Sequence, residues 1–254
     1  WTQLRNLGTQ IQSVIGGRPF HPVNLHVGGL SSIPGKDKLA SLITQLEAAR
    51  PLALDTCQLL MRFKPPIERT SEPVFMALIP VDGKYGYFGN KILSSHGFMA
   101  DVSEYKQYLN EKAVWYSHAK RSSIEGASLF VGAMARLYLF NDILKGEASN
   151  IYTSSPLAKG DHNSIWNNLA QSIEIVHAID ECIELLRVLL ERYQDAKAVN
   201  KINLKMKSGA AVGAVECPRG TLYHFYELNN ERSDCGGGYG DTFCSKYSTY
   251  RNGY

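Results

Sequence analysis

The run NSIWNNLAQSIEIVHAIDECIELLRVLLERY, residues 163–193, decides the fold class. Leu169, Ile173, Val176, Ile179, Ile183, Leu186 and Leu190 recur at spacings of three and four, which is one apolar stripe along a helix. Asn163 or Ser164 stands where an N-cap side chain accepts from a first-turn N–H. Such a stripe needs partners, and the chain supplies them. Residues 36–63 carry Leu39, Leu42, Ile43, Leu46, Ala49, Ala53, Leu54, Cys57 and Leu60 at helical spacing, with Pro51 expected to kink or split the helix. Leu4, Leu7, Ile11, Val14 and Ile15 predict a helix over 2–15, stopped by Gly16-Gly17. Helices are also predicted from Asp101 or Ser103 to about Arg121, and over 123–145, where Gly126, Ala127, Gly132, Ala133 and Ala135 suggest close helix–helix approach.

Short extended runs complete the pattern. Residues 74–80 and 84–88 flank Asp82-Gly83, a hairpin signal. Residues 211–216 and 221–228 flank Cys217-Pro218-Arg219-Gly220. The expected class is therefore mainly α with α+β attachments, a long-helix bundle with short β-hairpins. One region should cover 1–232. The run 233–254 contains no Leu, Ile, Val, Ala or Met and cannot bury enough apolar area to offset its ordering entropy, so a disordered tail is expected there.

Composition excludes several classes. A net charge of +3 over 254 residues, with 44% hydrophobic and 20% charged residues, gives no electrostatic footprint for nucleic acid. No apolar run is long enough to span a membrane. Five scattered cysteines make no disulfide framework and suit a reducing compartment, and no secretory signal pattern is visible. Neither His-Glu-x-x-His nor Cys-x-x-Cys occurs, so no standard metal site is signalled.

Two stretches hold candidate chemistry. The segment GGRPFHPVNLHVGG, residues 16–29, is either an interhelix loop or a place where backbone approaches a cofactor or partner, with Arg18 and His21 as polar handles. The Pro218-Arg219-Gly220 corner is either a plain turn or a rigid mount that aims a guanidinium at an anion or polar ligand. Cys217 reads as a buried inert thiol or a nucleophile without a neighbouring base.

These stretches also carry a family resemblance. Residues 4–8 and 15–29, Tyr116-Ser117-His118-Ala119-Lys120 followed by Gly132-Ala133-Met134-Ala135-Arg136-Leu137, and Asn167 through Glu174 resemble the central region of nickel–iron hydrogenase large subunits. The cytoplasmic, multisubunit, bidirectional type is the most similar. Glu216-Cys217-Pro218-Arg219-Gly220-Thr221-Leu222-Tyr223-His224 is similar to the family's Glu-Ala-Pro-Arg-Gly-Thr-Leu-x-His. The resemblance runs in order from Trp1 to about Glu231.

It implies a large-subunit-like fold and part of an oxidoreductase that reversibly oxidises hydrogen to protons and electrons. The implied centre is nickel–iron with cyanide and carbon monoxide ligands. Arg219 would be the catalytic residue beside it, with Cys217, Pro218 and Thr221 lining the pocket. Arg18 and His21 would serve electron transfer by facing an iron–sulfur small subunit, with further electron-transfer subunits in the complex. The family holds its nickel with two Cys-x-x-Cys pairs. None is present, so no metal ligand is assigned here and this chain alone is expected to be inactive and to hold no centre. A second reading, of a different class, is a non-catalytic relative: a hydrogenase-like or complex I quinone-pocket-like subunit, or an inactive fragment. The family's Thr-Leu-x-His continuation after the corner favours the hydrogenase side.

Overall fold

The computed structural model describes residues 2–66, 73–124, 126–199, 208–228 and the backbone of 248–251. The chain divides into two compact units, one formed by Trp1–Lys64, Gly146–Ile151 and Ser172–Leu204, the other by Pro65–Lys145, Tyr152–Gln171 and Lys205–Tyr254.

The first unit is helical. α1 spans Thr2–Gly16, a two-strand ribbon pairs β1 (Leu25–His26) with β2 (Gly29–Leu30), and α2 spans Lys36–Met61. The long helix expected over 163–193 is present as Asn167–Glu191, preceded by a 3-10 turn at Ser164–Trp166; from Ser172 on it belongs to this unit. Asn163 caps that turn, its Oδ1 accepting from Ile165 N at 3.1 Å. α2 buries Leu39, Leu42, Leu46, Ala49, Ala53 and Cys57, the periodic face read from the sequence. Pro51 does not split α2, which is continuous through it. A helix-interior proline costs about 3 kcal/mol, and buried residues on both sides offset this. So does Arg50, which grips Asp180 of the long helix through Nε–Oδ1 (2.6 Å) and Nη2–Oδ2 (3.1 Å). Arg187 Nη2 reaches Glu47 Oε1 at 2.6 Å across the same seam.

The second unit is built on sheets, and here the helical reading is corrected. Its strands are β3 (Val74–Leu78), β4 (Lys91–Ser94), β5 (Met99–Asp101), β6 (Asn110–Val114), β7 (Ser117–Ile124) and β8 (Ala127–Phe130). They form one sheet in the order β5-β4-β3-β8-β7-β6, with β3 and β8 parallel and the other pairs antiparallel. Three helices accompany them in the chain: α3 (Tyr105–Tyr108), α4 (Ala133–Phe140) and α5 (Gly146–Ser154), with the long helix Asn167–Glu191 as α6.

The helix expected from 101 or 103 to 121 is thus a 3-10 turn, the single turn α3 and a hairpin. The one expected over 123–145 is β8 and α4. Gly126 (φ +83°) and Gly132 (φ +84°) lie in the left-handed region that a helix interior excludes. Asp82 and Gly83 do form a turn, both with positive φ, but the returning strand is 91–94 and not 84–88. The second sheet joins β9 (Gly209–Cys217), β10 (Gly220–Leu228) and β11 (Ser248–Arg251), all antiparallel. β11 belongs to the run expected to be disordered; the rest of 233–254 lies outside the described residues. Met76, Leu78, Ile92, Val102, Tyr105, Leu109, Val131 and Tyr223 make this unit's core, with the rings of Tyr105 and Tyr223 stacked at 4.6 Å. Among the described residues no helix is long and apolar enough to cross a membrane.

Cys57 is fully enclosed in α2, and burial pushes its thiol up to about 11. Its folded pKa lies above the unfolded one. The associated stability is therefore fully present below the ordinary thiol value of 9.0 and is lost as pH rises through about 11. Iodoacetamide at pH 8 should leave Cys57 unmodified in the folded chain and modify it in urea, read by peptide mass mapping. Equal labelling in both states would show that the α2 face is open.

Candidate functional site

The loop that joins α1 to α2 is shaped by one buried amide. The Asn24 Nδ2 donates to Ile15 O and Ser32 O, both at 2.9 Å, and its Oδ1 accepts from Ser32 N (2.8 Å) and Ser32 Oγ (2.9 Å). Both ends of the loop are tied to the same side chain, and all four hydrogen-bonding positions of the amide are used. Val23 N and Asn24 N return to Gly16 O at 2.9 and 3.0 Å. A side chain at Gly16 would collide with Pro22, at 2.9 Å. Arg18 and His21 sit exposed on the turn so formed, Arg18 Nε donating to His21 O at 2.5 Å. His21 holds φ +51°, an unusual conformation for a non-glycine residue. The two expected residues of this loop therefore share one rigid turn.

The second candidate lies in the sheet unit. Cys217 pairs with Gly220 in the β9–β10 register, so Pro218 and Arg219 are a two-residue loop, and both are exposed. Proline presets φ for the first turn position. Beneath the loop, Glu216 and Thr221 are cross-strand partners on one face, and both are buried. The Glu216 Oε1 accepts from Thr221 Oγ1 and from Leu78 N, each at 2.8 Å. Its Oε2 accepts from Arg136 Nη1 at 2.8 Å, and the same Nη1 donates to Cys217 O at 2.8 Å. Arg136 is itself 1% exposed, and its guanidinium carbon lies 5.3 Å from the Tyr87 ring. Glu216 N donates to Tyr87 O at 2.8 Å. Gly132, just before α4, passes so close that a Cβ there would lie 2.8 Å from Pro218 O.

Burial pushes the Glu216 carboxyl above its ordinary range, while the charge and hydrogen bonds of Arg136, Leu78 N and Thr221 pull it back. Burial, reinforced by the Glu216 charge, drives the Tyr223 hydroxyl far up. What the arrangement offers is a fixed backbone carrying one exposed guanidinium.

Of the expected residues, Arg219 and Pro218 are exposed on the loop and Thr221 is buried beneath it. Cys217 is half-buried with a free thiol, and its carbonyl is engaged. Arg18 and His21 belong to the other unit. Sequence reasoning does not single out Asn24, Arg136 or the role of Glu216. A signal exists for Arg136: it is the one charge in the apolar run 131–140, and a charge there needs a partner. Among the described residues no group of three or more His, Cys, Asp or Glu side chains comes together to hold a metal ion.

No family model matches the chain. Curated relatives do. The alpha subunit of sulfhydrogenase 1 of Pyrococcus furiosus is 32% identical over 231 residues, 91% of this chain and 53% of the relative. The beta subunit of the NAD-reducing hydrogenase HoxS of Cupriavidus necator is 24% identical, over 89% of this chain and 51% of the relative. An NAD+-reducing NiFe hydrogenase structure superposes with TM-score 0.69 at 21% identity, over 89% of this chain and 53% of that one. The NiFeSe hydrogenase of Desulfovibrio vulgaris Hildenborough gives TM-score 0.63 at 16% identity, over 98% of this chain and 57% of that one. The chain is a homologue of nickel–iron hydrogenase large subunits and spans about half the length of the curated relatives it matches.

Removing one partner from a sealed ion pair leaves an unpaired buried charge, which costs about 3–5 kcal/mol. Arg136→Met should lower stability by that amount in urea melts. Arg136→Met combined with Glu216→Leu should recover only part of it, because Leu78 N and Cys217 O then lose their partners. Full recovery would mean that the pair does not hold the corner. Gly132→Ala should cost about 1–3 kcal/mol from backbone strain alone.

Proposed function

We propose that this chain is the central part of the catalytic subunit of a nickel–iron hydrogenase, contributing to reversible oxidation of hydrogen to protons and electrons. The observation that carries the reading is the Pro218–Arg219 loop. It is an exposed cation on a backbone fixed by the buried Glu216, Arg136 and Thr221, within a sequence that matches a sulfhydrogenase alpha chain over nine-tenths of its length. Preorganised donors aimed at developing charge are among the largest contributions to catalysis, because they need no reorganisation during the reaction.

In this reading the complete subunit holds a nickel–iron centre with cyanide and carbon monoxide ligands, which supplies the redox chemistry. The described donors of this chain do not fit that group, since they form no ligand cluster. The chain is therefore given no metal-holding role. Arg219 presents five N–H donors in a planar fork toward the reacting charge, and Pro218 fixes where that fork starts. Thr221 holds Glu216, and Cys217 fills the edge of the pocket while its carbonyl is anchored. The rigid turn bearing Arg18 and His21 faces the iron–sulfur small subunit, through which electrons pass to further subunits. The same reading puts the complex in the cytoplasm.

Arg219→Lys in the complete enzyme tests it. Lysine keeps the charge and loses the fork, so hydrogen uptake per bound nickel should fall about 100- to 1,000-fold with nickel content nearly unchanged. Near-normal uptake per nickel, with stability and metal loading reduced together, would make Arg219 a brace of the turn and remove it from catalysis. Metal analysis of the isolated chain should find no stoichiometric nickel. One tightly held nickel per chain would overturn the assignment of its ligands elsewhere.

A further inference from the structure

The β6–β7 hairpin carries features that the reading above does not use. Among the described residues β6 is an edge of the six-stranded sheet, with no described strand on the outer side of its backbone. The connection from Val114 to Ser117 is the two-residue loop Trp115-Tyr116. Tight two-residue hairpin loops favour Asn, Asp and Gly, because the preferred turns need positive φ. Here neither residue has positive φ, and the ladder accommodates this by a register shift between Lys112 and Val114. Turn chemistry therefore does not explain the two aromatic residues. Nor does burial: Trp115 is 96% exposed and Tyr116 54%, the two rings meeting edge-on at 5.5 Å.

The charges are arranged just as specifically. Lys112 and Arg121 are directly opposed in the register, and like charges in that position destabilise a ladder. Arg121 lies over the Tyr116 ring, its guanidinium carbon 5.3 Å from the centroid. The hairpin's one carboxylate, Glu111, faces the other side, where Lys120 approaches it at 3.3 Å and leaves its side chain 6% exposed. It does not neutralise the Lys112–Arg121 face. A lysine alone would guard an open edge against aggregation. An exposed Trp-Tyr tip beside two opposed cations does the reverse, since Trp, Tyr and Arg are the residues that anchor interfaces.

We propose that this hairpin is a docking arm for an extended acidic segment of a partner protein. The segment adds antiparallel to β6, setting carboxylates against Lys112 and Arg121 and an apolar side chain on Trp115. Strand addition fits because the edge supplies a row of backbone donors and acceptors, while the side chains supply selection. A second copy of this chain is disfavoured, since its hairpin brings the same two cations. An anionic membrane is disfavoured because surface-binding clusters hold about four to eight basic residues.

The test uses the full chain and a fluorescein-labelled synthetic peptide of alternating Glu and Val ending in Leu, followed by anisotropy. Saturable binding is expected, weakening as salt rises, with none for the matching Lys/Val peptide. Trp115→Ala should weaken binding about 30-fold, and Lys112→Glu with Arg121→Glu should abolish it. The melting temperature should stay that of the unmodified chain, because these side chains are exposed. Amide protons of β6 should gain exchange protection with peptide bound. No binding, or binding indifferent to these substitutions, overturns the proposal. So does binding of phosphatidylserine vesicles through Trp115 in place of the peptide, or self-association that Trp115→Ala removes. No readout involves hydrogen, so the outcome is independent of the catalytic reading.

Discussion

The ion pair between Arg136 and Glu216 is the constraint on which the sheet unit depends. Both side chains are sealed from water, at 1% and 0% exposure. Burying such a pair costs several kcal/mol per ion before attraction and hydrogen bonds offset it. The offset here comes from three hydrogen bonds to the carboxylate: Leu78 N and Thr221 Oγ1 on one oxygen, Arg136 on the other. The same guanidinium nitrogen reaches Cys217 O. Four pieces of chain, β3, α4, β9 and β10, are fixed relative to one another at a single point. An apolar cluster of equal volume would fill the space but would not specify the position of the Cys217 carbonyl. The pair therefore matters more for where the corner sits than for how stable the unit is.

The helical unit solves the same problem with a neutral group. Asn24 has no charge to desolvate, and its amide ties the two ends of the loop through four hydrogen bonds. In both units an exposed arginine, Arg18 or Arg219, stands on a short turn whose backbone is held from below by buried polar side chains, Asn24 in one and the Arg136–Glu216 pair in the other. This separates two demands that conflict in a single residue. The exposed cation stays solvated and available, while the ordering of the turn is met by a group that never leaves the interior. A fixed turn lowers the entropy lost when its arginine engages a partner.

The legible parts of this fold are those where local pattern and tertiary demand agree. α1, α2 and α6 carry apolar residues at a period of 3.6; the faces of α2 and α6 are buried as the spacing implies, while in α1 Leu7 is buried and Leu4, Ile11, Val14 and Ile15 are half-buried. The strand β10 is legible from its aromatic run, and β9 from its place across the Pro-Arg-Gly turn. Residues 101–130 mislead because their composition argues for helix. Lys112, Glu111, Ala113 and Lys120 are helix formers, and Tyr105 and Leu109 are spaced by four; both are in fact buried around the single turn α3. Sheet pairing overrides propensity of that kind. The ambiguous clue is glycine. In sequence Gly126 and Gly132 pass for small residues between helices, whereas both occupy positive φ, and Gly132 gives room to the Pro218 backbone. Arg136 stays hidden because its partner is 80 residues away in sequence, and spacing carries no trace of such a contact.

Position 217 illustrates the freedom left at a corner that is held through backbone and buried neighbours. The hydrogenase pattern that this sequence resembles has Ala before Pro-Arg-Gly, and this chain has Cys. Successive side chains on a strand point to opposite faces, so Glu216 faces the ion pair and Cys217 faces away from it. The thiol is half-buried and free, and it carries none of the hydrogen bonds that fix the turn. Those run through the Cys217 carbonyl, the Glu216 carboxylate and the Thr221 hydroxyl. A change from methyl to thiol at 217 therefore alters the strand face turned away from the ion pair while leaving the Pro218–Arg219 turn to the same anchors. By the same logic the restraint is strict one residue earlier: at 216 no shorter or neutral side chain reaches Leu78 N, Thr221 and Arg136 together with a charge to match the guanidinium.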